Sequence, residues 1–202
     1  SCAASLTRYE GWFLIPFVTL FFLLAGGFME AVRFGAVASA APLYWLAHNW
    51  WLFGDAMYFY SGPWSAKAIY ARQLAQGMGR YPADGNASMA LLYYRTAVEL
   101  VVGQWLLWIG LAGAAAALWK RWRWPLALLA LPPAFYLWSL YSSGTPIFVP
   151  TLWPHSYYNS RYALTALPLV ALGAAAIVSA LHRPFRRVAV LLAMFAIGVH
   201  WK

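Results

Sequence analysis

Apolar residues come in long blocks along this chain, separated by short basic connections on one pattern and by longer aromatic–polar loops on the other. A bilayer core takes about 20 apolar residues per helix, somewhat fewer for short or re-entrant segments. Six blocks qualify: 11–27, 34–53, 97–119, 124–141, 162–181 and 188–201, with Pro42 inside the second and Pro132 and Pro133 inside the fourth. Each is expected to be helical, because in lipid only helices and closed barrels satisfy their own backbone groups. The in–out alternation of a barrel strand is absent. The expected fold is therefore all-α, a polytopic transmembrane helical bundle of about six helices forming one domain over 1–202. Its extracytoplasmic loops are 54–95 and 142–161.

Composition strengthens that picture. Hydrophobic residues make up 63% of the 202 positions and charged residues 9%, against roughly 25% charged in a soluble domain. Polar groups this scarce cannot cover a water-facing surface, so lipid is the natural solvent. Thirteen Trp and thirteen Tyr suit a chain that crosses the membrane–water interface repeatedly. The net charge of +9 does not point to nucleic acid, because the basic residues sit in connections where they set orientation. Arg33, the KRWR run 120–123 and the HRPFRR run 182–187 are dense and fall on one side. On the other side Arg8, Lys67, Arg72, Arg80, Arg95, Arg161 and Lys202 are dispersed. Density in short loops decides the matter, so KRWR and HRPFRR are expected in the cytoplasm of a multi-pass protein of the bacterial inner membrane.

Cys2 is the sole cysteine, which excludes an internal disulfide and a cysteine-based metal site. No h-region precedes it, which argues against a lipoprotein start. The chain opens Ser-Cys-Ala-Ala-Ser, and its last apolar block stops early; both ends read as cuts in a longer protein. Loop 54–95 contains AKAIYARQLAQGMG, whose amphipathic character predicts an interfacial helix over 65–76 with Lys67 and Arg72 near headgroups. Asn86-Ala87-Ser88 is a formal glycosylation sequon, meaningful only in a secretory setting.

Three polar clusters lie on the extracytoplasmic side. In the first, LTRYEGW, Arg8 and Glu10 precede an apolar helix. Charges at membrane depth are functional candidates, and a planar guanidinium suits a phosphate. The structural reading is a snorkelling Arg8 with Glu10 at a helix N-terminus. The second, HNWWLFGDAMYF, carries Asn49 and Asp55. Trp50 and Trp51 read as an aromatic belt, while Asp55 can bind a metal or a sugar hydroxyl, or cap the next helix. The third, WPHSYYNSRY, gathers His155, Tyr157, Tyr158, Asn159 and Arg161, groups able to grip a phosphate or sugar; the structural reading is a polar loop with one anchoring Arg. Glu30, Glu99, His182 and His200 are assigned to helix ends or packing. No Ser-His-Asp set, zinc-type spacing or phosphate-cradling glycine loop is present.

Together the three clusters resemble the GT-C-type membrane glycosyltransferases that use polyprenyl-phosphate-linked sugars, including protein mannosyltransferase-like and aminoarabinose transferase-like enzymes. SLTRYEGWFLIP is similar to the "LTKGP" segment of that family, with Arg8 in place of the commoner Lys. YWLAHNWWLFGDAMYF resembles its W-x-N-x-x-x-F-G-x-P-x-x-F exit, with Ala56 where Pro is usual. HSYYNSRYALTALPLVAL resembles its "YxxRYxLPxxP" segment. The resemblance implies carrier-phosphate binding by Arg8, Arg161 and His155, and substrate binding by Glu10, Asp55, Asn49, Tyr157 and Tyr158. It implies as partners membrane lipid, a polyprenyl-phosphate-linked sugar, and an acceptor glycan, lipid or protein. The family's catalytic carboxylate lies in a loop that nothing here matches, so no catalytic residue is assigned and the general base is expected upstream of Ser1. Donor sugar, acceptor and any divalent metal cofactor stay open. The competing readings are a lipid-linked-substrate transporter or flippase, which favours repeated halves or broken helices, and a non-catalytic membrane subunit, which needs only packing.

Overall fold

A computed structural model describes Ala3, Ser5 and residues 9–119, 122–142 and 144–200. Among these the protein is all-helical, apart from an isolated antiparallel bridge between Phe148 and Tyr158. The chain divides into two compact units: Ser1–Asp84 with Ser142–Thr145, and Gly85–Tyr141 with Pro146–Lys202.

The first unit begins with α1 (Tyr9–Ala25) and α2 (Phe28–Phe53), joined by a glycine turn. Gly27 has φ 101, a conformation that costs glycine little and other residues much. The turn is so short that the expected connection 28–33 is already helix, and Glu30 and Arg33 form an i,i+3 ion pair on it at 2.9 Å. α2 folds back along α1, with Phe22 against Phe34 at 5.0 Å. Pro16 and Pro42 lie inside these helices without ending them. Gly54, at φ 71, closes α2 by donating to the Trp50 carbonyl, as expected of a left-handed C-terminal glycine.

After α2 come α3 (Tyr58–Ser61) and α4 (Ala66–Ala75). The second falls where a helix was expected over 65–76, and its cap is a Ser65 side chain accepting from the Ala68 amide at 3.2 Å. This region folds on itself. Tyr70 donates to Asp84 and accepts from the Tyr81 amide, Arg80 pairs with Asp84, and Arg72 lies over the Trp64 ring at 5.2 Å.

The second unit holds α5 (Ala87–Val102), α6 (Gln104–Trp119), α7 (Arg123–Tyr141), a 3-10 segment (Ser160–Ala166), α8 (Leu167–Ala180) and α9 (Arg183–His200). Two corrections arise here. Loop 54–95 does not continue to Arg95, because α5 starts at Ala87, capped by an Asn86 side chain that accepts from the Met89 amide at 3.1 Å. The sequon asparagine is thus a helix cap. Nor is 97–119 one helix: α5 and α6 meet at Gly103 with a bend of 108°. Gly103 has φ 88, and that left-handed residue turns the chain. α5 buries Ala90, Tyr93, Tyr94, Ala97 and Val98, a stripe at helical spacing, against α7 and the 3-10 segment. Pro132 and Pro133 lie within an unbroken α7.

α6 and α8 make the closest helix pair. Their contact is built from Gly110, Gly113 and Gly173: a Cβ on Gly173 would strike the Gly110 carbonyl oxygen, and one on Gly113 the Gly173 carbonyl oxygen. Small residues allow backbones to approach this closely, and such contacts are common where apolar helices pair in lipid. Leu126 of α7 joins Ala117 and Ala176 in the core beside them.

The 3-10 segment and α8 together make Ser160–Ala180, the one helix among the described residues with the length and apolarity of a membrane span. The bent α5–α6 pair meets the same measure jointly, and α1 is a shorter apolar helix. Large apolar side chains face outward on many helices, up to 81% exposure at Trp51 and 93% at Trp119. Exposed apolar surface on this scale marks an interaction with membrane or partner.

Candidate functional site

In the first unit the structure brings two of the three sequence clusters together. The start of α1 presents Tyr9, whose ring stacks on Phe59 of α3 at 5.0 Å. Trp12 meets Phe59 edge-on at 5.5 Å and donates its indole N–H to the Ser5 carbonyl at 2.7 Å. The segment that follows Arg8 is thereby packed on the segment that follows Asp55. Arg8 itself lies outside the described residues, as do Lys120 and Arg121 of the KRWR run. Glu10 sits in the first turn of α1, as its structural reading expected.

Asp55 and Asn49 are both engaged locally. One Asp55 carboxylate oxygen accepts from the Met57 amide at 2.8 Å and the other from the Ser61 hydroxyl. The carboxylate therefore closes the turn into α3, the capping role left open by the sequence. The Ser61 hydrogen bond, followed by the Met57 one, lowers its pKa below the ordinary carboxylate value. Because the folded pKa is depressed, the stabilisation is complete above the ordinary aspartate pKa and is lost as pH falls through the lower folded one. Asp55→Ala is expected to raise amide exchange at Met57 and Ser61. In the unchanged protein, after correction for intrinsic rates, their protection should persist in mild acid and fail only in strong acid. Asn49 is buried, at 4% exposure, and donates to the Trp45 carbonyl one turn back at 2.7 Å. Beside it the His48 ring stacks on Trp45 at 5.6 Å, and His48 Nδ1 and Trp45 Nε1 are buried without hydrogen-bond partners.

The third cluster, in the second unit, sits on an anchored loop. The Tyr93 hydroxyl donates to the Trp153 carbonyl at 2.6 Å. Phe148 and Tyr158 exchange backbone hydrogen bonds of 2.9 and 3.3 Å, and the Asn159 side chain donates to the Pro146 carbonyl at 3.1 Å. His155 and Asn159 have φ 56 and 55, left-handed conformations tolerated by such residues at some cost. The His155 Nδ1 lies 2.9 Å from the Pro150 carbonyl. A carbonyl only accepts, so Nδ1 carries the proton. In the neutral ring Nε2 is then an acceptor, and His155 donates to a phosphate only as imidazolium. Tyr158 is held by the bridge, while Tyr157 is exposed.

Arg161 is exposed and lies 5.4 Å over the Tyr162 ring. Tyr162 in turn stacks at 4.6 Å on Tyr136, which is buried. A hydrogen bond of 2.8 Å from Tyr94 to Thr165, whose own hydroxyl donates to the Tyr162 carbonyl, fixes the same segment against α5. Arg161 has no carboxylate partner among the described residues, and the sequence contains no Asp or Glu after Glu99. It occupies the second position of the span Ser160–Ala180, at the polar end of that apolar helix.

Sequence reasoning missed the ionic group beside the Gly103 bend, as it did the Arg80–Asp84 pair. Arg95 lies 3.0 Å from the Glu99 Oε1 and 5.8 Å over the Trp108 ring, across the Gly103 bend. That carboxylate oxygen is buried and lacks an aligned hydrogen bond, so the two side chains form an ion pair without being directionally bonded. The i,i+4 spacing of Arg95 and Glu99 was the available signal, obscured because Arg95 was placed in a loop. Glu10, Asn49 and Asp55 belong to one unit, and His155, Tyr157, Tyr158 and Arg161 to the other. Among the described residues no group of three or more His, Cys, Asp or Glu is placed to hold a metal ion. No protein family, curated protein or solved structure matches the chain.

Proposed function

We propose that this chain is the carrier-binding part of a polytopic membrane glycosyltransferase, which moves a sugar from a polyprenyl phosphate to an extracytoplasmic acceptor. The observation that carries the reading is Arg161: a free guanidinium on an ordered tyrosine stack at the polar end of an apolar span. A lipid carrier fits such a place, with its tail among apolar helices and its phosphate among polar groups. The packing of Tyr9 and Trp12 on Phe59 supports a joint role for the first two clusters.

In the proposed reaction the acceptor hydroxyl loses its proton to a carboxylate base contributed from outside these 202 residues. The acceptor oxygen bonds to the anomeric carbon as the carbon–oxygen bond to phosphate breaks, and polyprenyl phosphate departs with the electron pair. Arg161 stabilises the charge gathering on that phosphate, and the resemblance of LTRYEGW gives Arg8 a carrier-phosphate role as well. Tyr157, on its anchored loop, offers a hydroxyl to sugar, and Nε2 of neutral His155 can accept from a sugar hydroxyl. In this reading the KRWR run and the HRPFRR run, whose residues 183–187 open α9, face the cytoplasm and the loops carrying Asp55 and His155 face outward.

The test is transfer by the full-length protein: Arg8→Ala is expected to abolish it while expression persists, and normal transfer would remove the main site assignment. The transporter reading draws on one observation, the 108° break at Gly103 with the Arg95–Glu99 pair beside it, since interrupted helices form substrate sites in transporters.

A further inference from the structure

We infer that the N-terminal turns of α9 form a binding site for the phosphate of an anionic phospholipid, with Arg183 and Arg187 as the ligating side chains and Arg186 as a structural residue. The three arginines are equivalent in the sequence, and the structure separates them. Arg186 donates through Nε to the Leu181 carbonyl at 2.9 Å and through a terminal nitrogen to the Ser179 carbonyl at 2.8 Å. It thus satisfies the carbonyls that α8 leaves open at its C-terminus. Arg183 and Arg187 make no ion pair or hydrogen bond among the described residues, are exposed, and stand one helical turn apart on the same side of α9.

What surrounds them identifies the partner. Phe185, Val188, Leu191, Leu192, Met194 and Phe195 are all more than half exposed. α9 therefore combines two free guanidinium groups at one end with an uncovered apolar length, the complement of a leaflet with anionic headgroups and acyl chains. Among the described residues no carboxylate pairs with Arg183 or Arg187. Its five acidic residues are Glu10, Glu30, Asp55, Asp84 and Glu99. Glu30, Asp84 and Glu99 pair with Arg33, Arg80 and Arg95, and Asp55 closes its own turn. No acidic residue follows Glu99, whereas Lys120, Arg121, Arg123, Arg161, Arg183, Arg186, Arg187 and Lys202 do. Arg183 and Arg187 therefore stay open to an anion from outside the chain. Arginine binds phosphate through two parallel hydrogen bonds, and a lipid brings that phosphate to the same surface as the apolar residues. The inference needs a membrane but not the transfer chemistry, so it can fail while the glycosyltransferase reading stands, and the reverse.

The experiment places the full chain in nanodiscs of phosphatidylcholine with a minor fraction of phosphatidylglycerol and measures, by native mass spectrometry, the phosphatidylglycerol retained on release. The unchanged protein is expected to enrich phosphatidylglycerol. Each of Arg183→Gln and Arg187→Gln should lower the enrichment roughly fivefold, and both together on the order of 30-fold, since each basic side chain near an anionic surface contributes about that factor. The preference should weaken with added salt. The paired Arg183→Lys and Arg187→Lys variant should retain most of it, which separates lost charge from lost folding. Arg186→Gln should lower thermal stability yet keep the lipid preference. Unchanged enrichment in the double Gln variant, an equal loss in Arg186→Gln, or displacement of the lipid by millimolar inorganic phosphate would overturn the assignment.

Discussion

Replacing Gly173 by alanine is expected to destabilise the second unit more than any other single-methyl change in the chain. On a free helix the substitution would stabilise by roughly 0.5–1 kcal/mol, because glycine gives up more backbone freedom on folding. Here the added Cβ falls on the Gly110 carbonyl oxygen and the Ala114 amide nitrogen of α6. Those are backbone atoms, which have no rotamer to move into, so the helices must separate. Overpacking of a well-fitted contact costs typically 1–3 kcal/mol. The clash outweighs the propensity gain, leaving a net loss of about 1–2 kcal/mol. Gly113→Ala should behave alike, since its Cβ meets the Gly173 carbonyl oxygen. Gly198→Ala on α9 is the control: nothing lies within 4 Å of its Cβ, so it should be neutral or slightly stabilising. Thermal unfolding in detergent, compared across the three variants, checks the ranking. Equal stability of Gly173→Ala and Gly198→Ala would contradict the close pairing of α6 and α8.

The second large effect is expected at Arg161. If this guanidinium meets the departing phosphate, Arg161→Ala in the full-length protein should slow transfer by about 10²–10³-fold, the loss seen when one group aimed at developing charge is removed. Arg161→Lys should recover part of that rate, keeping the charge while losing the two-pronged geometry. The side chain is exposed and lies over the Tyr162 ring, so folding should survive either change. Loss of transfer together with loss of the folded protein would mark Arg161 as a structural anchor.

Several features of this arrangement were legible in the sequence, and the reasons differ from one to the next. The helix Ala66–Ala75 was visible because AKAIYARQLAQGMG has a helix-favouring composition with an amphipathic pattern. α7 and the span Ser160–Ala180 were visible as unbroken apolar blocks. The bend at Gly103 was hidden because apolar residues continue on both sides, and hydropathy does not register a single backbone dihedral. The prolines were the more conspicuous breakers, yet Pro42, Pro132 and Pro133 are accommodated inside helices. Asn86 was overlooked as a cap because it also completes a sequon.

The candidate site divides in the same way. Residue types and order drew attention to Asp55, His155 and Arg161, but composition cannot say which polar atoms are already used. Asp55 spends both carboxylate oxygens on its own turn, Asn49 its amide nitrogen on Trp45, and His155 its Nδ1 on Pro150. Arg161 makes no hydrogen bond among the described residues. The same separation of free from occupied groups distinguishes Arg183 and Arg187 from Arg186, three arginines that sequence alone treats as one basic run.

The account turns on recognition of a carrier phosphate, and binding tests it more directly than turnover because it does not need the catalytic base. The measurement is the affinity of the purified chain in nanodiscs for a polyprenyl phosphate and for the matching uncharged polyprenol. The account predicts tighter binding of the phosphate by at least about tenfold, with Arg161→Ala removing most of that preference, since a charge-assisted hydrogen bond contributes about 1.5–3 kcal/mol. Equal affinity for the two lipids, or a phosphate preference unchanged in Arg161→Ala, would contradict it.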